Sequence, residues 1–339
     1  MGPGKLGIAL IGLGPAAQPH AKSLLDLADR ADVVWTVSRS AGRGREFAQA
    51  YSFPFTTDLN HVLDDRRVDA VFILTPPHTH LEIATLAFAA GKHVLLEKPI
   101  DISIGRGEEI LRRAEASGRK LGIVLQHRFR PASKRLKRIV RAGELGDVQG
   151  ATLSIPWWRP QSYYDQGGRG TFARDGGGVL LTQAIHAIDL FRDLLGVRHV
   201  DFTHVRTTRL HDIESEDLVN SILTLSNGAT ASLWATTAAY PGWPEKLEIL
   251  GTLGTVQLAG GRMDVLYCDG RREVVEAEGK SGSGAAIMDF PHDAHRELIS
   301  DFLAAIADDR EPLVNGGEAL ATQKLIAEIL RSDMSARLP

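Results

Sequence analysis

The 339-residue chain reads as an α/β domain on a doubly wound parallel sheet followed by an α+β domain with an antiparallel sheet. Three observations predict this. Residues 6–130 alternate apolar strand-like runs with amphipathic helical patterns, the signal of a parallel α/β sheet. From residue 145 the texture turns β-rich, with polar and apolar residues alternating, as in a sheet covered on one face. The length is about twice that of a usual domain. The expected partition is 1–126 and 127–339.

In the first part the strands are LGIALIG (6–12), VVWTVSR (33–39), DAVFILTP (69–76), HVLLEKP (93–99) and KLGIVLQ (120–126). Their continuous apolar character suits strands covered on both faces. Helices are expected at 17–29, 42–51, 58–64, 79–90 and 106–117, two of them stopping at Gly91 and Gly118, the residue type that most often caps a helix C-terminus. In the second part strands fall at 151–158, 200–208, 217–227, 229–238, 245–251 and 254–260, with turns at Asn227-Gly228 and Thr252-Leu253-Gly254. A helix is expected at 179–195, a mobile loop from Glu278 to Ala286, and closing helices near 292–308 and 317–332.

Composition narrows the function. The 39 basic and 42 acidic side chains leave a net charge of -3, which gives no electrostatic reason to expect a nucleic-acid or membrane-surface partner. Cys268 is the only cysteine, so no intrachain disulfide or multi-cysteine metal site is available and a reducing compartment is expected. Met1–Lys5 runs straight into a strand without the charged head of a signal peptide. No apolar run approaches the roughly 18 residues of a membrane span. The expectation is a cytoplasmic protein whose partner is a small molecule, with no nucleic acid, membrane or metal.

Directly after the first strand stands Gly12-Leu13-Gly14-Pro15-Ala16-Ala17. This GxGxxA turn allows a tight bend, close backbone approach to a pyrophosphate and close packing of the next helix, the fingerprint of a Rossmann-type dinucleotide site. An NAD-specific site carries a carboxylate roughly 20 residues on, at the end of the second strand. Here Ser38-Arg39-Ser40 stands there, with Arg43 following, and a guanidinium with hydroxyls suits a 2′-phosphate. NADP(H) is therefore the expected preference, with NAD(H) the alternative.

The ends of the third and fourth strands, Thr75-Pro76-Pro77-His78-Thr79-His80 and Glu97-Lys98-Pro99, should open on the same crevice. Thr75, Pro76, His80, Glu97 and Lys98 are cofactor candidates, as is Gln126 after the fifth strand. A lysine after a buried strand needs a partner or a function, and adjacent strand residues face opposite sides, so Glu97 does not readily pair with Lys98. Beyond Asp175-Gly176-Gly177-Gly178, Thr182, His186 and Asp189 share one face of the expected helix; Asp189 could orient His186 or serve structure. Trp157 to Tyr164 and Gly167 to Gly170 form an aromatic, arginine-bearing, glycine-broken stretch suited to a pyranose face and its hydroxyls or an acidic substituent. The substrate candidates are Lys98, Arg128, Trp158, Arg159, Tyr163, Tyr164, Arg169, Thr182, Gln183 and His186.

GLGPAA, TPPHTH, AGKHVLLEKP (90–99) and the GGG-to-HAID helix together resemble the glucose-fructose oxidoreductase / inositol dehydrogenase / rhizopine catabolism (Gfo/Idh/MocA) family along essentially the whole chain. The resemblance implies an N-terminal nucleotide-binding domain, a C-terminal open-faced antiparallel sheet, and NAD(P)-dependent oxidation or reduction of a sugar or cyclitol hydroxyl. Carried over by position, Lys98 is the catalytic lysine at the reacting oxygen and His186 the catalytic histidine that exchanges the proton. Similar proteins often have a cis bond at the position of Lys98-Pro99. Many carry Asp four residues before the histidine, where this chain has Thr182. The alternatives are a dehydrogenase of nucleotide-linked uronate sugars, favoured by the arginines around 159–174, and a non-catalytic cofactor-binding regulator on the same fold. Leu218, Ile222, Leu233 and Trp234 are expected to line a bare sheet face buried in a homodimer or homotetramer.

Overall fold

The structure is a computed structural model that describes residues 4–277, 279 and 290–333. The expected loop from Glu278 to Ala286 lies, apart from Gly279, outside the described residues. In chain order the first stretch holds β1 (Leu6–Ile11), α1 (Ala17–Asp26), β2 (Ala31–Val37), α2 (Ala41–Tyr51), β3 (Phe55–Thr56), α3 (Leu59–Asp64), β4 (Ala70–Ile73), α4 (His80–Ala89), β5 (His93–Leu96), α5 (Ile104–Ser117) and β6 (Leu121–Ile123). Its sheet is parallel in the order β3-β2-β1-β4-β5-β6. That order reverses between β1 and β4, and the crevice at such a switch point is where ligands of these sheets bind. Ile8, Leu10, Phe72, Val94 and Leu95 are buried in its strands, each contributing about 1.5–3 kcal/mol of transfer free energy. The two-residue β3 carries too little pattern to be read from sequence.

The second stretch runs α6 (Pro131–Arg141), β7 (Val148–Pro156), α7 (Gln161–Tyr164), α8 (Phe172–Asp175), a π-helical turn at Leu180–Ala184, α9 (Ile185–Leu195), β8 (Val197–Arg206), β9 (Leu218–Leu225), β10 (Thr230–Thr236), β11 (Lys246–Gly251), β12 (Gly254–Ala259), β13 (Arg262–Tyr267) and β14 (Arg272–Val275). The eight strands order as β14-β13-β12-β11-β7-β10-β9-β8. All neighbours are antiparallel except β7 and β10, which pair in parallel. On β10, Ala231, Leu233 and Ala235 are buried, while Trp234 stands on the opposite face. Leu233 therefore belongs to the core and not to the bare face. Phe202, Ile222, Trp234, Leu250, Leu266 and Val274 are exposed at 37–58%.

The chain closes with α10 (Asp293–Ala307) and α11 (Gly316–Arg331). It divides into two compact units, Met1–Leu125 with His292–Leu320, and Gln126–Pro291 with Ala321–Pro339. This differs from a single cut near residue 126, because α10 belongs with the first sheet. His292 and Arg296 bond Asp26 at the end of α1, Phe302 meets Phe72 edge to face at 6.0 Å, and Ile123 N donates to Val314 O at 2.9 Å.

Candidate active site

In the first unit the nucleotide turn has the geometry its sequence demands. Gly12 has φ +98°, and a Cβ there would lie 2.9 Å from the carbonyl carbon of Leu74, so only glycine lets β1 leave the sheet beside the loop after β4. A Cβ on Gly14 meets nothing within 4 Å. Pro15 and Ala16 lead into α1, whose N-terminus has no side-chain cap and whose first N–H groups, of Ala17 and Gln18, turn back to Gly14 O and Pro15 O; an open glycine turn at a helix N-terminus fits a pyrophosphate. At the end of β2, Ser40 caps α2 through the N–H of Arg43, while Arg39 and Arg43 are exposed.

After β4, Thr75 Oγ1 and Thr79 Oγ1 lie 2.7 Å apart and Thr79 also bonds Pro76 O. His80 does not face a ligand as expected. It is fully buried, with Nε2 2.9 Å from Thr75 O and Nδ1 2.9 Å from Ile100 O. Its ring braces the loop after β4 against the segment after β5. The Lys98-Pro99 bond is cis, and Lys98 is half-buried. The Glu97 side chain bonds the Lys98 peptide N–H at 3.2 Å.

In the second unit, Gln126 is buried and its Oε1 has no hydrogen-bond partner among the described residues. Arg128 departs from expectation. Its guanidinium forms a two-pronged pair with Asp189, both bonds 2.6 Å, and reaches Asp193 at 3.0 Å. Asp189 is fully buried and also accepts from Thr322, so both residues lock α9 in place and the substrate role of Arg128 is withdrawn. His186 lies on α9 with its ring 5.1 Å from that of His127. The π-helical turn holding Thr182 and Gln183 replaces the regular helix expected through 179–195; such turns re-aim side chains and often occur at functional sites. Thr182 donates its hydroxyl to Gly178 O at 2.7 Å.

The start of this helix depends on a residue the sequence reading missed. Glu216 accepts from the N–H groups of Gly178 at 2.9 Å and Leu180 at 3.2 Å, and burial pushes its carboxyl above the usual range. A Cβ on Gly178 would fall 1.8 Å from Glu216 O, which is why the third glycine of the run is needed. Its distance in sequence hides Glu216 from any local pattern.

The aromatic stretch is organised around Tyr163. Gln183 accepts from Arg159 Nε at 3.1 Å and donates to Tyr163 OH at 2.9 Å, and Arg169 stacks 4.2 Å over the Tyr163 ring. Arg159 is 1% exposed, more deeply placed than a direct substrate contact requires; burial pushes its pKa down. Tyr164 donates to or accepts from Thr237 at 2.8 Å. Trp158 packs near His211, whose two ring nitrogens face Asp217 at 2.7 Å and Arg159 O at 2.8 Å. The structure thus assembles Tyr163, Arg159, Arg169 and Gln183, sets His127 beside His186, and diverts His80 and Arg128 to structural work.

A parallel 3-2-1-4-5-6 sheet with a helix directly behind a GxGxxA turn defines a dinucleotide-binding protein. Residues 6–124 match the family model "Oxidoreductase family, NAD-binding Rossmann fold", and residues 133–257 match "GFO/IDH/MocA C-terminal domain". The chain belongs to the GFO/IDH/MocA oxidoreductase family. It is 26% identical to scyllo-inositol 2-dehydrogenase (NAD(+)) of Bacillus subtilis, over 92% of this chain and 89% of that protein. It is 26% identical to inositol 2-dehydrogenase of Rhizobium meliloti over 95% of each. The WlbA dehydrogenase of Bordetella pertussis, solved with NADH and UDP-GlcNAcA, superposes with a TM-score of 0.83, 26% identity and 98% coverage of each chain. Among the described residues no helix is long and apolar enough to cross a membrane.

Proposed function

We propose that the protein moves a hydride between a nicotinamide and the CH–OH carbon of a sugar, sugar derivative or cyclitol. The observation that carries this reading is Lys98, a half-buried cation directly after β5 in a sheet whose β1 turn fits a dinucleotide. Gly12, Gly14, Pro15, Ala16, Thr75 and Pro76 would hold the dinucleotide, which when bound accepts or returns the hydride. In this reading Lys98 stabilises the developing alkoxide. His186 takes or returns the hydroxyl proton, as an imidazole can near neutral pH. Thr182 donates its hydroxyl to Gly178 O and, being an alcohol, carries no negative charge; in this reading the proton is handled by Lys98 and His186. Inositol dehydrogenases among the relatives support a polyol substrate. Exposed Arg39 and Arg43 in place of a strand-end carboxylate favour NADP(H). The apolar sheet face favours a homo-oligomer of two or four copies.

A nucleotide-linked uronate is the second reading. It is favoured by Arg169, whose buried Nε has no hydrogen-bond partner among the described residues while its guanidinium lies over Tyr163, and by the acid sugar bound in WlbA. The test is a panel of cyclitols, neutral sugars, free uronates and UDP-uronates, each with NAD(H) and NADP(H), followed at the reduced-nicotinamide absorbance. Turnover of neutral polyols supports the first reading, and turnover confined to UDP-uronates the second. Absence of turnover across the panel would overturn both.

A further inference from the structure

The roles assigned so far leave three neighbouring ionisable side chains of the first unit unused. His20 of α1 and His295 of α10 are 0% and 3% exposed, and they converge on Glu97. His20 Nε2 lies 3.0 Å from Glu97 Oε1, and the two imidazole rings meet edge to face at 5.4 Å. One donor atom from each of the three residues falls within 4.8 Å of the others. Glu97 is fixed from behind, since its own N–H donates to Ile73 O at 2.9 Å. Its second carboxylate oxygen accepts the peptide N–H of Lys98.

Two histidines and a glutamate suggest a cation site at first sight. A metal-bound imidazole, however, hands its second ring N–H to a carboxylate, carbonyl or water, and Nδ1 of His20 is buried without a hydrogen-bond partner among the described residues. A carboxylate can only accept, so His20 donates through Nε2, and its Nδ1 lacks the outer partner that a metal-bound ring takes. The arrangement is a hydrogen-bonded anion. Burial pushes the Glu97 carboxyl up, but the hydrogen bond from His20 and the positive charge of Lys98 outweigh it and hold the group below its ordinary range. The ionisable groups acting on Glu97 are thus His20 from α1, His295 from α10 and Lys98 next in the chain, with His80 of α4 also within its field.

We propose that His20 and His295 are positioning residues: they hold Glu97 ionised and in one orientation, and Glu97 in turn keeps the Lys98 ammonium charged and its backbone fixed. The inference rests on Lys98 being the group that meets the reacting oxygen. His20 follows the nucleotide turn within the same helix, so the device ties the lysine to the element that receives the pyrophosphate.

The test uses the full-length protein and needs no substrate. Lys98 is labelled with trinitrobenzenesulfonate across a pH series and quantified by peptide mass mapping, giving its titration midpoint. Glu97→Gln, which keeps side-chain volume, is expected to lower that midpoint by about one unit. His20→Leu and His295→Gln should lower it in the same direction, while His20→Gln, whose amide still donates, should restore most of it. Where the panel supplies a substrate, the alkaline limb of kcat should move with the midpoint, with dinucleotide affinity kept. If His20→Leu fails to fold, Glu97→Gln and His295→Gln decide alone. An unchanged midpoint in folded variants overturns the proposal, as does a loss of kcat without a shift in the limb. Lys98→Ala separates the two levels: retained turnover removes the catalytic assignment, whereas lost turnover with an unmoved midpoint in Glu97→Gln removes only this inference.

Discussion

At the scale of single residues, side chains close together in sequence have been given very different work. Lys98→Ala and His186→Ala are expected to lower turnover by about 10²–10⁴, the usual contribution of a positioned acid–base group, with dinucleotide affinity kept. Thr182→Ala should cost less than about tenfold in the same assay, because an uncharged hydroxyl is not an acid–base group at neutral pH. Steady-state kinetics with fluorescence binding checks all three. Arg39 is exposed just after β2 and is proposed to meet a 2′-phosphate; Arg39→Ala should then weaken NADP(H) by about 10- to 150-fold, the value of a charge-assisted bond of roughly 1.5–3 kcal/mol, and leave NAD(H) unchanged. Equal losses for both cofactors would return Arg39 to the solvated surface. The sequence made the glycine turn and the strand-end lysine legible, because both rest on local spacing. It misassigned His80 and Arg128, since residue type reveals neither a ring held by Thr75 O and Ile100 O nor a guanidinium held by an aspartate 61 positions away.

Secondary-structure elements show the same division between local and distant causes. The five longer parallel strands and their helices were readable from apolar runs, whereas α6, β13 and β14 were missed. Ala132, Leu136 and Ile139 are the buried stripe of α6, but they sit among so many basic residues that the period is masked. Asp269-Gly270 between β13 and β14 was a hairpin signal that went unused. The π-helical turn was beyond reach, because the Glu216 carboxylate that holds its start comes from far along the chain. His93 opens β5 and accepts the N–H of Lys120 at 2.9 Å, joining β5 to the approach of β6. Burial, with the Arg119 charge, lowers its pKa from 6.5 to about 4. The folded state therefore binds fewer protons than the unfolded chain between these values. Stability present above pH 6.5 should fall as the pH drops toward 4, by at most about 2–3 kcal/mol and less after solvent screening. Urea unfolding across that window checks this, and His93→Gln should flatten the dependence.

For the molecule as a whole, the second sheet leaves Phe202, Ile222, Trp234, Leu250, Leu266 and Val274 outside its core, and a second copy of the chain is the proposed cover. Light scattering at micromolar concentration should give a dimer or tetramer, and a double Ile222→Lys, Trp234→Lys variant should shift it toward monomer without loss of the helical signal. A wild-type monomer would sink the proposal. The first unit, meanwhile, is assembled from both ends of the chain: Phe302 fills the space above Gly122, where an added Cβ would lie 2.8 Å from its ring, and Val314 and Asn315 pair with the edge at β6. A growing polypeptide on the ribosome therefore exports all six strands of the nucleotide-binding sheet long before the helix that seals it exists. That half must wait, part-finished, while the other sheet is synthesised, and a fragment stopping at Leu125 should be insoluble where the same fragment joined to His292–Leu320 folds.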